Sequence, residues 1–199
     1  MGPVVHGCAI ASPVFLVGQA PGPHEGRFGK PFAWTAGRTL FRWLGEALQA
    51  SEEEIRSKIY FAAVARCFPG KAPGGGDRKP DAEEIDRCKT FLEKEVAILQ
   101  PRLVLPVGTL AIEQVLGPLL GKKFTLAEVI GTVMKTTYHG QAVEVIALPH
   151  PSGASTWFKV EPGKTLLLKA LQLVADHPVL REQFPRGPRL ASADGNEGP

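Results

Sequence analysis

The sequence predicts an α/β protein: a three-layer α/β/α sandwich around a central four-stranded parallel sheet. Apolar runs at 14–18, 59–65, 103–107 and 143–148 have the length and β-branched content of buried strands. The segments between them carry apolar residues at helical spacing, with charges on the other positions. Strands alternating with helices imply parallel pairing with both sheet faces covered.

Each element has its own warrant. Val14-Phe15-Leu16-Val17 is continuously apolar and ends at Gly18, so it reads as the first strand. From Thr35 to Gln49, Leu40, Phe41, Leu44, Ala47 and Leu48 form one helical stripe. Ser51 followed by Glu52, Glu53 and Glu54 reads as a helix cap with an acidic first turn. Ile59 to Ala65 is the second strand. Cys67 to Lys79 is rich in glycine and proline and is expected to lack regular structure. Pro80-Asp81-Ala82-Glu83-Glu84 opens a helix to about Leu99, with Ile85, Cys88, Phe91, Leu92 and Val96 on its stripe. Leu103 to Val107 is the third strand, and Gly108-Thr109 turns into a helix through about Leu116. Residues 124–138 fit either a β-hairpin or an irregular arm. Val143 to Leu148 is the fourth strand, and Lys164 to Ala175 the last clear helix. From Phe184 the chain turns to proline, glycine and small polar residues.

The 199 residues suit a single domain over 1–183, with a flexible tail over 184–199. A hydrophobic content of 44% and a charged content of 22% are ordinary for a globular chain. The net charge of +3 permits nucleic-acid binding without requiring it. No run reaches the roughly 18 apolar residues of a membrane span, so no membrane partner is expected. The first residues lack the order of a secretory signal, and a cytoplasmic protein, acting as a monomer, is the expectation. Three cysteines, an odd number, argue against a disulfide framework and for reduced thiols.

The loops carry the chemistry. In an open parallel sheet, loops leaving the carboxyl ends of the strands face one crevice. Gly18-Gln19-Ala20-Pro21-Gly22 follows the first strand, and Leu148-Pro149-His150-Pro151-Ser152-Gly153 follows the fourth. Gln19 and His150 are therefore expected to meet. The first loop is a stiff turn of small residues that lets backbone N–H groups approach a ligand. It continues into Gly29-Lys30-Pro31-Phe32 and Ala36-Gly37.

This ordered set resembles the uracil-DNA glycosylase superfamily, and the stretch GQAPGPHEGRFGKPFAWTAG is most similar to its families 4 and 5. The likeness covers about residues 14–175. It implies a monofunctional DNA glycosylase that flips uracil out of DNA and hydrolyses the N-glycosidic bond, the first step of base excision repair. Related readings are a glycosylase for hypoxanthine, xanthine or a T·G mismatch, or a non-catalytic binder of damaged DNA.

The resemblance also implies site residues. His150 stabilises the leaving base, since a neutral imidazole donates a hydrogen bond where charge develops. The Gln19–Ala20 backbone binds the base oxygen, and Phe32 stacks on the base. The positions where the superfamily keeps its acid hold Gln19, Ala20 and Thr35. Glu25 and Asp77 are the remaining candidates for the carboxylate, and His24 matches a histidine of the family 5 loop. Ala63 stands where family 4 has a base-reading asparagine; family 5 also has alanine there. DNA contacts are expected from Arg27, Lys30 and Arg78, from the hydroxyls of Ser152 and Ser155, and from the further cations Arg38, Arg42, Arg66, Lys71 and Lys79. Cys67 and Cys88 match two cluster cysteines of families 4 and 5. Only Cys8, with His6 nearby, remains to complete a set that needs four thiolates. The expectation is no cofactor, with a 4Fe-4S cluster on Cys8, Cys67 and Cys88 as the alternative.

Overall fold

The computed structural model describes residues 2–121 and 124–185. Its centre is a five-stranded sheet in the order β2 (Tyr60–Ala63), β1 (Val14–Gly18), β5 (Leu103–Pro106), β7 (Gln141–Val145) and β6 (Met134–Tyr138). Strand β1 (Val14–Gly18) lies between β2 (Tyr60–Ala63) and β5 (Leu103–Pro106), parallel to both. Strand β7 (Gln141–Val145) extends the parallel set beyond β5, with Val104 opposite Val145. Every residue of β1 is buried. Successive side chains point to opposite faces, so burial of all five means that both faces are covered.

Helix α2 (Thr35–Leu48) sits against α7 (Gly163–Asp176), burying Leu40, Phe41, Leu44 and Leu48 of the predicted stripe and, in addition, Trp43. Helix α3 (Glu52–Lys58) is capped as expected: the Ser51 hydroxyl accepts from the Glu54 N–H at 3.1 Å. In α4 (Ala82–Leu99), Asp81 and Glu84 form a reciprocal capping box. Helix α5 (Thr109–Leu120) runs one turn past Leu116, and α8 (Pro178–Gln183) follows α7.

The sheet departs from expectation at one edge. The four parallel strands are joined by a fifth, β6 (Met134–Tyr138), which runs antiparallel to β7. It comes from the segment read as a hairpin or an irregular arm. The turn is a two-residue loop in which His139 (φ 45°) and Gly140 (φ 83°) both take left-handed conformations, the geometry that matches strand twist. Before it, α6 is a single turn over Leu126–Val129.

Two further expectations are corrected. The glycine-rich segment after Cys67 is not without structure: β3 (Lys71–Ala72) and β4 (Gly75–Asp77) form a small antiparallel hairpin. Pro73 and Gly74 make its turn, Gly75 opens β4 at φ 101°, and an ion pair from Lys71 to Asp77 at 2.7 Å closes it. Phe184, expected to begin the tail, is buried in the core, with the Lys58 ammonium 4.8 Å from its ring. The rest of the expected tail, 186–199, lies outside the described residues.

The chain leaves β1 towards β2 on one side and later returns to β5 on the other. Loops at the carboxyl ends of these strands part there and open a crevice. Parallel bridging continues past the strands, from Val107 to Leu148, and carries the end of β7 into this region.

Candidate active site

The loop after β1 is built around two packed contacts. A Cβ on Gly18 would lie 2.7 Å from Phe32 Cζ, so only glycine lets the ring sit against the strand end. Gly37, in the first turn of α2, is as constrained: its Cβ would fall 1.7 Å from the Phe32 carbonyl oxygen. Phe32 itself takes φ 54°, a region side-chain-bearing residues avoid.

Charged groups hold this conformation from both ends. Glu25, on the single-turn helix α1 (Glu25–Phe28), turns inward and is buried. Its Oε2 accepts from the Gly22 N–H at 2.9 Å and its Oε1 from the Ala33 N–H at 3.0 Å. Burial pushes its carboxyl above the ordinary range, opposed by those amides and by the Arg56 charge. From α3, Arg56 donates to the carbonyls of Pro31 at 2.9 Å and Phe32 at 3.1 Å. The guanidinium lies over the Phe41 ring, 4.2 Å from its centroid.

The second loop delivers His150. A Cβ on Gly108 (φ 87°), at the start of α5, would lie 3.0 Å from His150 Cδ2, so this glycine is the floor under the imidazole. The Ser152 N–H donates to His150 Nδ1 at 3.4 Å. An accepting Nδ1 puts the ring proton on Nε2. Burial lowers the imidazole pKa below its usual value, opposed by the charge of Asp77, so the ring is neutral at pH 7.

His150 and the first loop face one cleft of about 720 Å³, open mouth included. Ala20, His24, Glu25, Phe32, Ala63, Asp77 and Ser152 line it with His150. Gln19 does not: it lines an adjoining groove shared with His150, Asp77, Lys71, Arg78 and Lys79. Its backbone carbonyl accepts from the Ala65 N–H at 3.0 Å, extending the β1–β2 pairing. The two carboxylates differ in kind. Both oxygens of Glu25 are bonded to backbone amides, whereas Asp77 is exposed, its Oδ1 paired with Lys71 and its Oδ2 turned towards Gly22.

Several expected DNA contacts sit differently. Arg78 is not a free cation. It donates to the Pro69 carbonyl at 3.0 Å through Nε and to Glu84 at 2.9 and 2.7 Å, tying the hairpin to α4. Arg66 is buried and paired with Glu95, which also accepts from the Tyr60 hydroxyl. Ser155 is outside both the cleft and the groove, and its N–H bonds back to the Ser152 carbonyl at 3.1 Å. Arg27 and Lys30 are exposed beside the cleft without lining it.

Cys67 and Cys88 line a separate, mainly apolar hollow with Val4, His6 and Phe91. Cys8 is exposed and not part of its lining. His6 Nδ1 lies 2.9 Å from its neighbour's carbonyl, and the Arg66 N–H points to Cys88 Sγ at 3.5 Å. Two thiols and one imidazole do not fit a four-iron cluster, which takes four thiolate-type ligands. Among the described residues, no three His, Cys, Asp or Glu side chains are grouped to hold a metal.

Sequence reasoning missed Arg56, Gly108 and Trp34 as site residues. Arg56 lies on the far side of α2 in sequence, and nothing local marks its reach. Gly108 announced a turn but not the ring above it. Trp34 lines the cleft at the start of α2, its ring 4.5 Å from that of His24.

Comparison with known proteins places this geometry. Residues 5–174 match the model of the uracil DNA glycosylase superfamily. A type-4 uracil-DNA glycosylase of Pyrobaculum aerophilum is 30% identical over 143 residues, covering 70% of this chain and 66% of the relative. The type-4 enzyme of Archaeoglobus fulgidus is 29% identical over 139 residues, covering 70% and 65%. A type-5 uracil-DNA glycosylase of Pyrobaculum aerophilum is 29% identical over 155 residues, covering 70% and 61%. The chain thus spans just under two thirds of the length of the curated relatives it matches. With a family match across most of its length and the family's two loops converging on one cleft, this chain belongs to the uracil DNA glycosylase superfamily.

Proposed function

We propose that this chain is a monofunctional DNA glycosylase that excises uracil and initiates base excision repair. The observation that carries the reading is the meeting of His150 and Phe32, from loops at opposite ends of the sequence, in one cleft. The type-4 and type-5 names of its relatives support uracil as the base.

The uracil is turned out of the strand and stacks on Phe32. The bond from C1′ to the base nitrogen breaks and its electron pair stays with the base. The neutral His150 donates its Nε2 proton in a hydrogen bond to the base oxygen that gains this charge. The sugar becomes electron-poor. Asp77, a water-exposed carboxylate on the cleft wall, is the group that orients the attacking water and takes its proton. Glu25 holds the loop, since both its oxygens are engaged. No lysine nucleophile is used, so the product is an abasic site in an uncut strand. Ala63 brings no polar group to the base edge, which leaves base selection to the cleft shape and the backbone.

DNA is the partner, met by Lys79 along the groove and by Arg27 and Lys30 beside the cleft; the chain acts as a monomer. It works without an iron–sulfur cluster, because the donors around Cys67 and Cys88 fall short of four. Purified protein without absorbance near 400 nm (~) and without iron is the expected result.

The test is base release from oligonucleotides bearing uracil opposite A or G, with hypoxanthine, xanthine and T·G controls and alkali to reveal abasic sites. Uracil release that falls roughly 10²-fold or more in His150→Ala, with DNA binding retained, supports the reading. No release from any substrate, with abasic DNA still bound, overturns it in favour of a binding module.

A further inference from the structure

The cleft has an aromatic wall that the excision chemistry leaves unused. Trp34 is 44% exposed and Phe28 49% exposed. Their rings stack at 5.9 Å between centroids and 26° between planes. Trp34 stands two residues beyond Phe32 and lines the same cleft, with the His24 ring 4.5 Å from its own and tilted against it. Large aromatic rings held together in water need a partner to cover them.

The surroundings say what the partner is. Arg27, Lys30 and Arg38 are exposed around the pair, and among the described residues none of them makes an ion pair. Aromatic faces beside free cations hold unpaired nucleic acid: bases stack on rings and phosphates meet the cations. A base inside a duplex is already stacked and paired, and it cannot reach such a ring without being unstacked.

We propose that Trp34, backed by Phe28, is a stacking platform for the nucleobase next to the extruded one, so that this chain takes its base preferentially from single-stranded DNA. The proposal rests on the glycosylase reading of the cleft. It makes Trp34 a specificity-determining residue: Phe32 takes the target base and Trp34 takes its neighbour.

The experiment compares uracil release from one oligonucleotide, single-stranded and annealed, by wild type, Trp34→Ala and Trp34→Phe. Further single strands replace either flanking nucleotide by a stable abasic analogue. Trp34→Ala is expected to raise KM on the single strand about ten-fold, several times more than on the duplex, and Trp34→Phe to recover most of the loss. Removing the platform-side flanking base is expected to cost wild type the same factor and to cost Trp34→Ala nothing further. Equal losses on both substrates, or a Trp34→Ala variant still sensitive to the flanking base, would overturn the proposal. Tryptophan quenching by undamaged oligothymidylate separates its failure from that of the glycosylase reading. If wild type releases no base, quenching abolished in Trp34→Phe still supports the platform. If release is normal and Trp34→Phe quenches like wild type, the platform is wrong and the enzyme reading stands.

Discussion

Arg56 Nη2 lies 3.1 Å from the carbonyl oxygen of Phe32, while the next residue, Ala33, gives its N–H to Glu25 at 3.0 Å. The peptide following Phe32 is thereby gripped on both its polar groups by opposite charges. Phe32 keeps a left-handed backbone at φ 54°, a strain of roughly 1–3 kcal/mol that persists only where the surroundings over-determine it. The ring proposed as the base platform is therefore held in place by Arg56 and Glu25, not by its own backbone preference.

Arg56→Ala should cost the fold roughly 2–4 kcal/mol, because the carbonyls of Pro31 and Phe32 lose a charged donor. Uracil release by the remaining folded protein should drop about 10–100-fold in kcat/KM as Phe32 moves off its position. Arg56→Lys should recover part of it. In a Phe32→Ala background the same change should cost far less activity, and steady-state kinetics of the four proteins measures that coupling.

Glu25→Gln tests the other grip. Gln offers one accepting oxygen where Glu offers two, so either the Gly22 or the Ala33 N–H loses its bond, and the midpoint of denaturation should fall by an amount worth about 1–3 kcal/mol. The pH dependence has a definite sign. Burial raises the folded pKa of Glu25 above its usual 4.5, so its contribution to stability is fullest below the unfolded value and declines as pH rises through the folded one. Urea melts of wild type minus Glu25→Gln across this window measure it.

Gly108→Ala should separate the imidazole from the rest of the site. The new methyl meets His150 Cδ2 at 3.0 Å and the backbone must hold φ 87° with a side chain. The expected result is a folded protein about 1–3 kcal/mol less stable, whose kcat falls about 10-fold or more while KM changes little.

The acid limb of activity should report His150. Its folded pKa is lowered from the usual 6.5, and the active form is the neutral ring, so kcat/KM should fall with acid at a midpoint below 6.5. The same shift removes stability as pH falls from 6.5 through the folded value, since the unfolded chain binds the proton more readily. Asp77 supports the protonated ring, so Asp77→Asn should move the His150 midpoint lower still, read directly by an NMR titration of its ring protons.

What the sequence made legible follows from burial. Val14 to Val17 and Leu103 to Leu105 are covered on both faces, so an unbroken apolar run announces them. Strand β6, Met-Lys-Thr-Thr-Tyr, faces solvent with every second side chain at the sheet edge, and its pattern is too polar to separate from an arm. The β3–β4 hairpin has almost no β-forming residues; the Lys71–Asp77 pair and a left-handed glycine hold it, and composition shows neither. His150 and Phe32 were legible because family loops carry them. The ion pair of Arg78 was not legible because a charge is visible in sequence and its partner Glu84, across a loop and a helix cap, is not.

The order of strands in the sheet sets when activity can appear. Strand β1 waits for β5, and β5 for β7, with Val14 opposite Leu103 and Leu103 opposite Glu144. Pairings so distant along the chain are slow to form. His150 follows the last of them, so on the proposed reading the group that receives the leaving base joins the cleft only after these pairings are made. Recovery of base release during refolding should accordingly lag the return of helical signal.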